Sequence, residues 1–167
     1  GATCDCGGGL VRRHNSGRNC LARRLAQDLG ASTFVEQRVP QLDKVLEDGT
    51  VELARLDVQV TLDGKTWLVD FTCVDAFSTN EAKERSRADK DGVKAAQAED
   101  KKRSRYRGAG VVPVVVETHG RWGQAGLRWL RRLYKGEPSK LRSLCQEMAA
   151  IVQSHTAAMI LASRGQG

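Results

Sequence analysis

RLDVQVTLDGKTWLVDFT, residues 55–72, is the stretch that decides how this chain folds. Two runs rich in Val, Leu, Thr and Trp flank Asp63-Gly64. Asp-Gly favours a two-residue hairpin turn because both positions tolerate positive φ. The flanking residues alternate as strands do, so residues of equal parity share a face. VELARLDVQVTL (51–62) and KTWLVDFTCV (65–74) are therefore the expected arms. In a hairpin turning on residues 63 and 64, positions placed symmetrically about the turn face each other. Asp57 and Asp70 are such a pair.

Two ionised carboxylates at cross-strand range repel unless a cation lies between them. Mg²⁺ takes oxygen ligands, commonly one or two protein carboxylates with phosphate and water. Such an ion holds a scissile phosphate and lowers the pKa of an attacking water. The competing explanation is an amphipathic hairpin with both aspartates in solvent, as expected for Glu52, Asp63 and Asp75.

Outward from the hairpin, HNSGRNCLARRLAQDL (14–29) sets Cys20, Leu21, Leu25 and Leu29 at helical spacing, with Gly30 as the stop. STFVEQRV (32–39) predicts a strand closed by Pro40, and 41–50 a polar loop. Ser78, Thr79 or Asn80 would cap a long polar helix over about 80–107, kinked or divided at Gly92. VVPVVVE (111–117) predicts a strand buried on both faces. Residues 123–135 and 138–163 predict two more helices, split by Gly136 and Pro138. Helix, three strands, helix, strand and two helices imply an α/β fold: a mixed central sheet flanked by helices.

The length, 167 residues, suits one domain with a real core. At 40% hydrophobic and 28% charged, the composition is that of an ordinary globular protein. No apolar run approaches the roughly 18 residues of a membrane span, and the opening residues do not read as a secretory leader. Net charge is +7, from 27 Lys and Arg against 20 Asp and Glu. Basic chains favour polyanions, nucleic acid first among them. The cations cluster at Arg12/Arg13/Arg18/Arg23/Arg24, at KKRSRYR (101–107), and at Arg121/Arg128/Arg131/Arg132/Lys135. Five cysteines make no disulfide framework; Cys73 and Cys145 read as reduced core residues, which points to a reducing compartment.

A cation near the phosphate or the attacking water would complete the chemistry of the aspartates, and lysine supplies a mobile point charge. Thr72, two residues after Asp70, cannot. AEDKKRSRY (98–106) can, if its helix returns across the hairpin; the alternative is a basic, exposed helix end that complements the helix dipole. Glu117, at the end of the apolar strand, reads as a partner for backbone or arginine, and His119 as an ordinary loop residue. Trp122, Trp129 and Leu133 read as core, as does the stripe Leu141, Leu144, Cys145, Met148, Ile151, Val152 and Ile160.

Several pieces in order carry a resemblance: Cys4-Asp5-Cys6, Arg13-His14-Asn15, Arg55-Leu56-Asp57, VDFT (69–72), KKRSRY (101–106) and VVPVVVETHGRWG (111–123). Over roughly residues 4–123 the chain resembles the restriction-like endonuclease domain that follows the reverse transcriptase in site-specific non-LTR retrotransposons. That resemblance implies the PD-(D/E)xK superfamily and its αβββαβ core. It implies a single domain over 1–167, with a core of about 14–120 and a helical extension at 121–163. It implies a DNA endonuclease whose nick in a double-stranded target primes reverse transcription. Mg²⁺ or Mn²⁺ would be the cofactor, the reverse transcriptase domain of the same polypeptide a partner, the nucleus the location, and no membrane would be involved.

Residue by residue, Asp57 and Asp70 match the family's metal-binding acidic pair. Lys102 matches its displaced lysine, with Lys101 second, and Tyr106 matches its tyrosine. Arg13, His14 and Asn15 match the basic-His-Asn motif, which contacts DNA or braces the site. Arg18 on that helix, with Lys101, Arg103 and Arg105, would track the DNA backbone. Leu56 stands where the family has proline, Thr72 where typical restriction enzymes have lysine, and the gap from Asp70 to Lys102 is long. The family often carries a Cys-Cys-His-Cys zinc knuckle, which Cys4, Cys6, His14 and Cys20 would form. A Cys-x-Cys pair is tighter than most zinc spacings, and Cys20 at an apolar helical position also reads as a buried thiol. The alternative function is a catalytically silent nucleic-acid-binding module of the same fold that supports a reverse transcriptase.

Overall fold

The computed structural model describes residues 8–75 and 92–164. Helix α1 (Gly9–Leu29) leads into strand β1 (Ser32–Arg38), a 3₁₀ turn (Pro40–Leu42) and the short strands β2 (Lys44–Val45) and β3 (Val51–Glu52). The long hairpin β4 (Arg55–Leu62) and β5 (Lys65–Val74) follows. Helix α2 (Val93–Arg105), strand β6 (Val112–Glu117) and helices α3 (Gln124–Leu133) and α4 (Pro138–Arg164) complete the described order. The fold is α/β: a mixed sheet ordered β1-β4-β5-β6, with β1/β4 and β4/β5 antiparallel and β5/β6 parallel.

The hairpin forms as its pattern predicts. Asp63 and Gly64 both have positive φ, 50° and 74°, which matches the right-handed twist of the arms. The register is symmetric about them, from Leu62↔Lys65 to Val58↔Val69. Leu56, Val58 and Val60 are fully buried and alternate with half-buried or exposed Arg55, Asp57, Gln59 and Thr61. The arm expected over 51–62 is interrupted at Leu53-Ala54. Its first two residues pair with Lys44–Val45 in a separate two-stranded sheet, so the loop expected at 41–50 is partly ordered.

Helices cover both faces, as α/β folds require. On one face Leu21 and Leu25 of α1 and Leu144, Met148 and Val152 of α4 pack with Val58, Val69, Phe71, Val114 and Val116. Each fully buried side chain of this size contributes roughly 1.5–3 kcal/mol. Gly17 lets α1 approach the sheet: a Cβ there would lie 2.5 Å from Phe71 Cζ. On the other face α2 packs against β5 and β6, and Glu117 Oε1 accepts from the Ala95 N–H at 3.2 Å. Strand β6 is thus buried on both faces, as its apolar run predicts.

The helix expected over 80–107 is described only as Val93–Arg105; residues 80–91, with the capping candidates Ser78, Thr79 and Asn80, lie outside the described residues. Helix α1 begins at Gly9, earlier than its apolar spacing indicates. Arg13 of that added turn donates to Thr156 of α4 at 3.0 Å, a packing contact that local pattern does not encode. Among the described residues no helix is long and apolar enough to cross a membrane.

Candidate functional site

Asp57 sits where the β4/β5 ladder stops, one step past Val58↔Val69. Its Oδ2 accepts from the Phe71 N–H at 2.7 Å. Its Oδ1 lies 2.8 Å from His14 Nε2, across from α1. The His14 ring in turn rests against Phe71, with centroids 5.7 Å apart. Asp70, on the central strand β5, is 4% exposed. Lys102, on the last turn of α2, donates to Asp70 Oδ1 at 3.0 Å. Its ammonium also stands 2.9 Å from Oδ2, a buried oxygen with no other donor among the described residues.

The environments of the two carboxyls differ. Burial pushes Asp57 up, but the bond and charge of His14, the Asp70 carboxyl and the Phe71 N–H together hold it below its ordinary value. For Asp70 burial wins: despite the nearby Lys102, its carboxyl is pushed up to about 6, with Asp57 adding to the rise. Without a metal, Asp70 holds a proton below about pH 6 while Asp57 is ionised, and above that both carboxyls carry charge. A divalent cation fits this donor set. It would offset the paired negative charge, add a partner for an Asp70 oxygen that otherwise faces only Lys102, and need no more than one or two carboxylates if it is Mg²⁺. Among the described residues no three His, Cys, Asp or Glu side chains converge as a fuller ligand set.

Tyr106, the residue after α2, is buried. Its phenol is pushed up by burial and then by the negative charge of Asp70. Beside Asp70 and Lys102 opens a groove of about 690 Å³, lined by Lys44, Glu52, Thr72, Lys101, Lys102 and Arg105 among others. Among the described residues, four of the nine that line it are cationic against one acidic, so the groove favours a polyanion. Glu52 pairs with Arg105 and so ties the β2/β3 sheet to α2. Another hollow, about 650 Å³, is lined by Trp122, Leu127, Arg131 and Leu141; Asp57 and Asp70 line neither hollow, and Lys102 is the link from Asp70 to the basic groove.

The structure brings Asp57, Asp70, Lys102 and His14 together. Lys101 and Arg103 are exposed on α2, Arg103 beside Asp100, and Asn15 is half-buried on α1. It puts the rest of the basic first helix to another use. Arg13 and Arg18 are buried, not presented to solvent. Arg18 donates to Glu36 at 2.6 Å and to Asn19. Arg23 and Arg24 pair with Glu147 of α4, and Arg24 also with Asp28. Arg13, Arg23 and Arg24 thus tie α1 to α4, and Arg18 ties α1 to β1.

Of the zinc candidates, Cys4 and Cys6 lie outside the described residues. His14 is engaged by Asp57. Cys20 is a buried thiol in the core, pushed up to about 11 by burial, and so poorly disposed to become a thiolate ligand. Glu117 serves backbone, as its strand-end position suggested.

Two acidic residues escape sequence reasoning. Glu99 of α2 is buried, and its Oε1 accepts from the Ala125 N–H at 2.8 Å, satisfying the start of α3. Glu36 faces Asp57 across β1. His14 is singled out only by the resemblance of Arg13-His14-Asn15 to a family motif; nothing in its local spacing sets it against Asp57. Comparison with protein-family models gave no match, and comparison with curated proteins gave none.

Proposed function

We propose that this chain is a metal-dependent DNA endonuclease domain built on a restriction-endonuclease-like αβββαβ core, and that it nicks target DNA to prime reverse transcription for a non-LTR retrotransposon. The observation that carries the reading is the apposition of Asp57, Asp70 and Lys102 beside a basic groove. The element order of the sheet and its helices is compatible with that core, and the ordered motifs supply the retrotransposon context. Asp57 and Asp70 would hold Mg²⁺ or Mn²⁺, which when bound supplies a Lewis acid for the phosphate and lowers the pKa of a bound water. Lys102, half-exposed at the groove, would turn its ammonium from Asp70 to a phosphate oxygen and stabilise charge that grows as the phosphodiester breaks. Lys44, Lys101 and Arg105 would hold the DNA backbone, contacts that position the duplex without reading its sequence.

Nicking of supercoiled plasmid with Mn²⁺ or Mg²⁺ tests this directly. Asp57→Asn and Asp70→Asn are expected to abolish nicking and leave DNA binding intact. Lys102→Ala is expected to lower the rate by about 100-fold, the scale of one lost charge-stabilising group. A second reading, a silent nucleic-acid-binding module, is favoured by the ion pair through which Lys102 already compensates Asp70. It requires salt-sensitive DNA binding with no nicking by any variant in either metal.

A further inference from the structure

We infer that Arg18 and Glu36 form a positioning pair for Asp57: together they hold β1 out of its ladder at that one step and so set where the Asp57 carboxylate sits. Its catalytic meaning rests on the metal-site reading above.

The β1/β4 ladder is regular from Ser32↔Thr61 to Arg38↔Arg55, except that it omits one pair, Glu36 opposite Asp57. Glu36 has φ 56° in mid-strand. A residue with a long side chain keeps that left-handed conformation only where its surroundings impose it, and such residues cluster at functional sites. Here the surroundings are specific. Arg18, buried on α1, donates Nη1 to Glu36 Oε1 at 2.6 Å. Its Nε and Nη2 are both fixed on Asn19 Oδ1 at 3.1 Å.

Arg18 lies one helical turn beyond His14, so both project from the same side of α1. His14 grips Asp57 at 2.8 Å, and Arg18 grips the residue facing Asp57 on the next strand. The β4/β5 ladder also stops one pair short of Asp57. Asp57 therefore lies at a break in the ladders on both sides. No residue is inserted, since Val35↔Val58 and Gln37↔Leu56 share one register; the gap leaves Asp57 without a ladder partner on either strand. Its side chain reaches the Phe71 N–H on β5, at 2.7 Å, beside Asp70.

Phe71 amide exchange is the direct probe, because that N–H is bonded to the carboxylate in question. It would be followed by NMR in the parent chain, Glu36→Val, Arg18→Met and Glu36→Gly, alongside Mn²⁺ binding by calorimetry. Valine tolerates positive φ poorly and accepts no hydrogen bond; methionine keeps the arginine stem without its charge. Both variants are expected to speed Phe71 exchange and to weaken Mn²⁺ binding by about 10- to 100-fold, the usual effect of losing a residue that orients a ligand. They should lower kcat for nicking with little change in KM. Glycine adopts φ 56° unaided, and Glu36→Gly is expected to restore most of both readouts. Exposed Glu36 keeps the test available should Arg18→Met fail to fold. Parent-like Phe71 exchange in a folded Glu36→Val overturns the inference. Faster exchange in Glu36→Val, in a chain whose parent neither binds Mn²⁺ nor nicks DNA, upholds the positioning and overturns the nuclease reading.

Discussion

At the residue scale, Asp70 carries a measurable consequence of its burial. Its carboxyl rises from 3.8 to about 6, mainly by desolvation, eased by Lys102 and reinforced by Asp57. Between those values the folded chain binds a proton that the unfolded chain has released. Stability therefore falls as pH climbs from about 4 to about 6, and the loss persists above that. Asp70→Asn, uncharged throughout, is expected to match the parent near pH 4. Near pH 7.5 it should exceed the parent by a few kcal/mol, at about 1.4 kcal/mol per pKa unit. Urea unfolding at the two pH values measures this; a difference that ignores pH would contradict it. Asp57 runs the other way, since its lowered carboxyl adds stability that is lost as pH falls through the acid range. The apposition of these two aspartates is legible in the sequence because hairpin symmetry fixes it. The His14 contact to Asp57 spans 43 residues, and no local spacing encodes it. Glu36 is less legible still: a glutamate in a strand pattern gives no sign of a positive φ.

At the element scale, the close seat of α1 on the sheet is expected to be intolerant of one added methyl. In Gly17→Ala the new Cβ would fall 2.5 Å from the Phe71 ring and 3.4 Å from Met148 Sδ, both in the packed core. The expected cost is about 1–3 kcal/mol, read as a lowered Tm. Because Phe71 also supports the His14 ring, metal-dependent nicking should fall more than stability alone explains. The elements themselves are mostly readable from the sequence. Strand β5 spans Lys65–Val74 as its alternation indicates, and Pro138 opens α4 where proline is best placed. The failures have physical causes. Polar residues 41–50 hide β2, whose pairing with β3 is a tertiary event. The break at Leu53-Ala54 follows from Asp43, which accepts from the Ala54 N–H at 2.8 Å while also holding Arg38.

At the scale of the whole molecule, pairing leaves the net charge at +7, but the count of 27 Lys and Arg overstates the cations offered to a partner. Much of the α1 cluster is bound to Glu36, Asp28 and Glu147. A sequence counts cations without showing which ones the fold consumes. The exposed Lys101, at the groove, is expected to meet phosphate along with Lys44 and Arg105, and exposed Arg107, two residues past Arg105, is expected to add to them. Lys101→Ala and Arg107→Ala should each reduce the slope of log K against log salt by about 1. Both should leave the melting temperature nearly unchanged, as surface substitutions do, within about 0.5 kcal/mol. Arg24→Ala is the contrasting case. It should destabilise the chain through its lost contacts with Asp28 and Glu147 and leave the salt slope alone.

The clasp between α1 and α4 also bears on the order of synthesis. Arg13 is held by Thr156, 143 residues later, and Arg23 and Arg24 by Glu147. The helix that presents His14 to Asp57 packs on the sheet but lacks this clasp until α4 has been made. Contacts of such long range form late and slowly. A nascent chain can complete the hairpin with its two aspartates and still lack the scaffold that aims them. The proposed cutting site would therefore stay idle on the ribosome until α4 emerges.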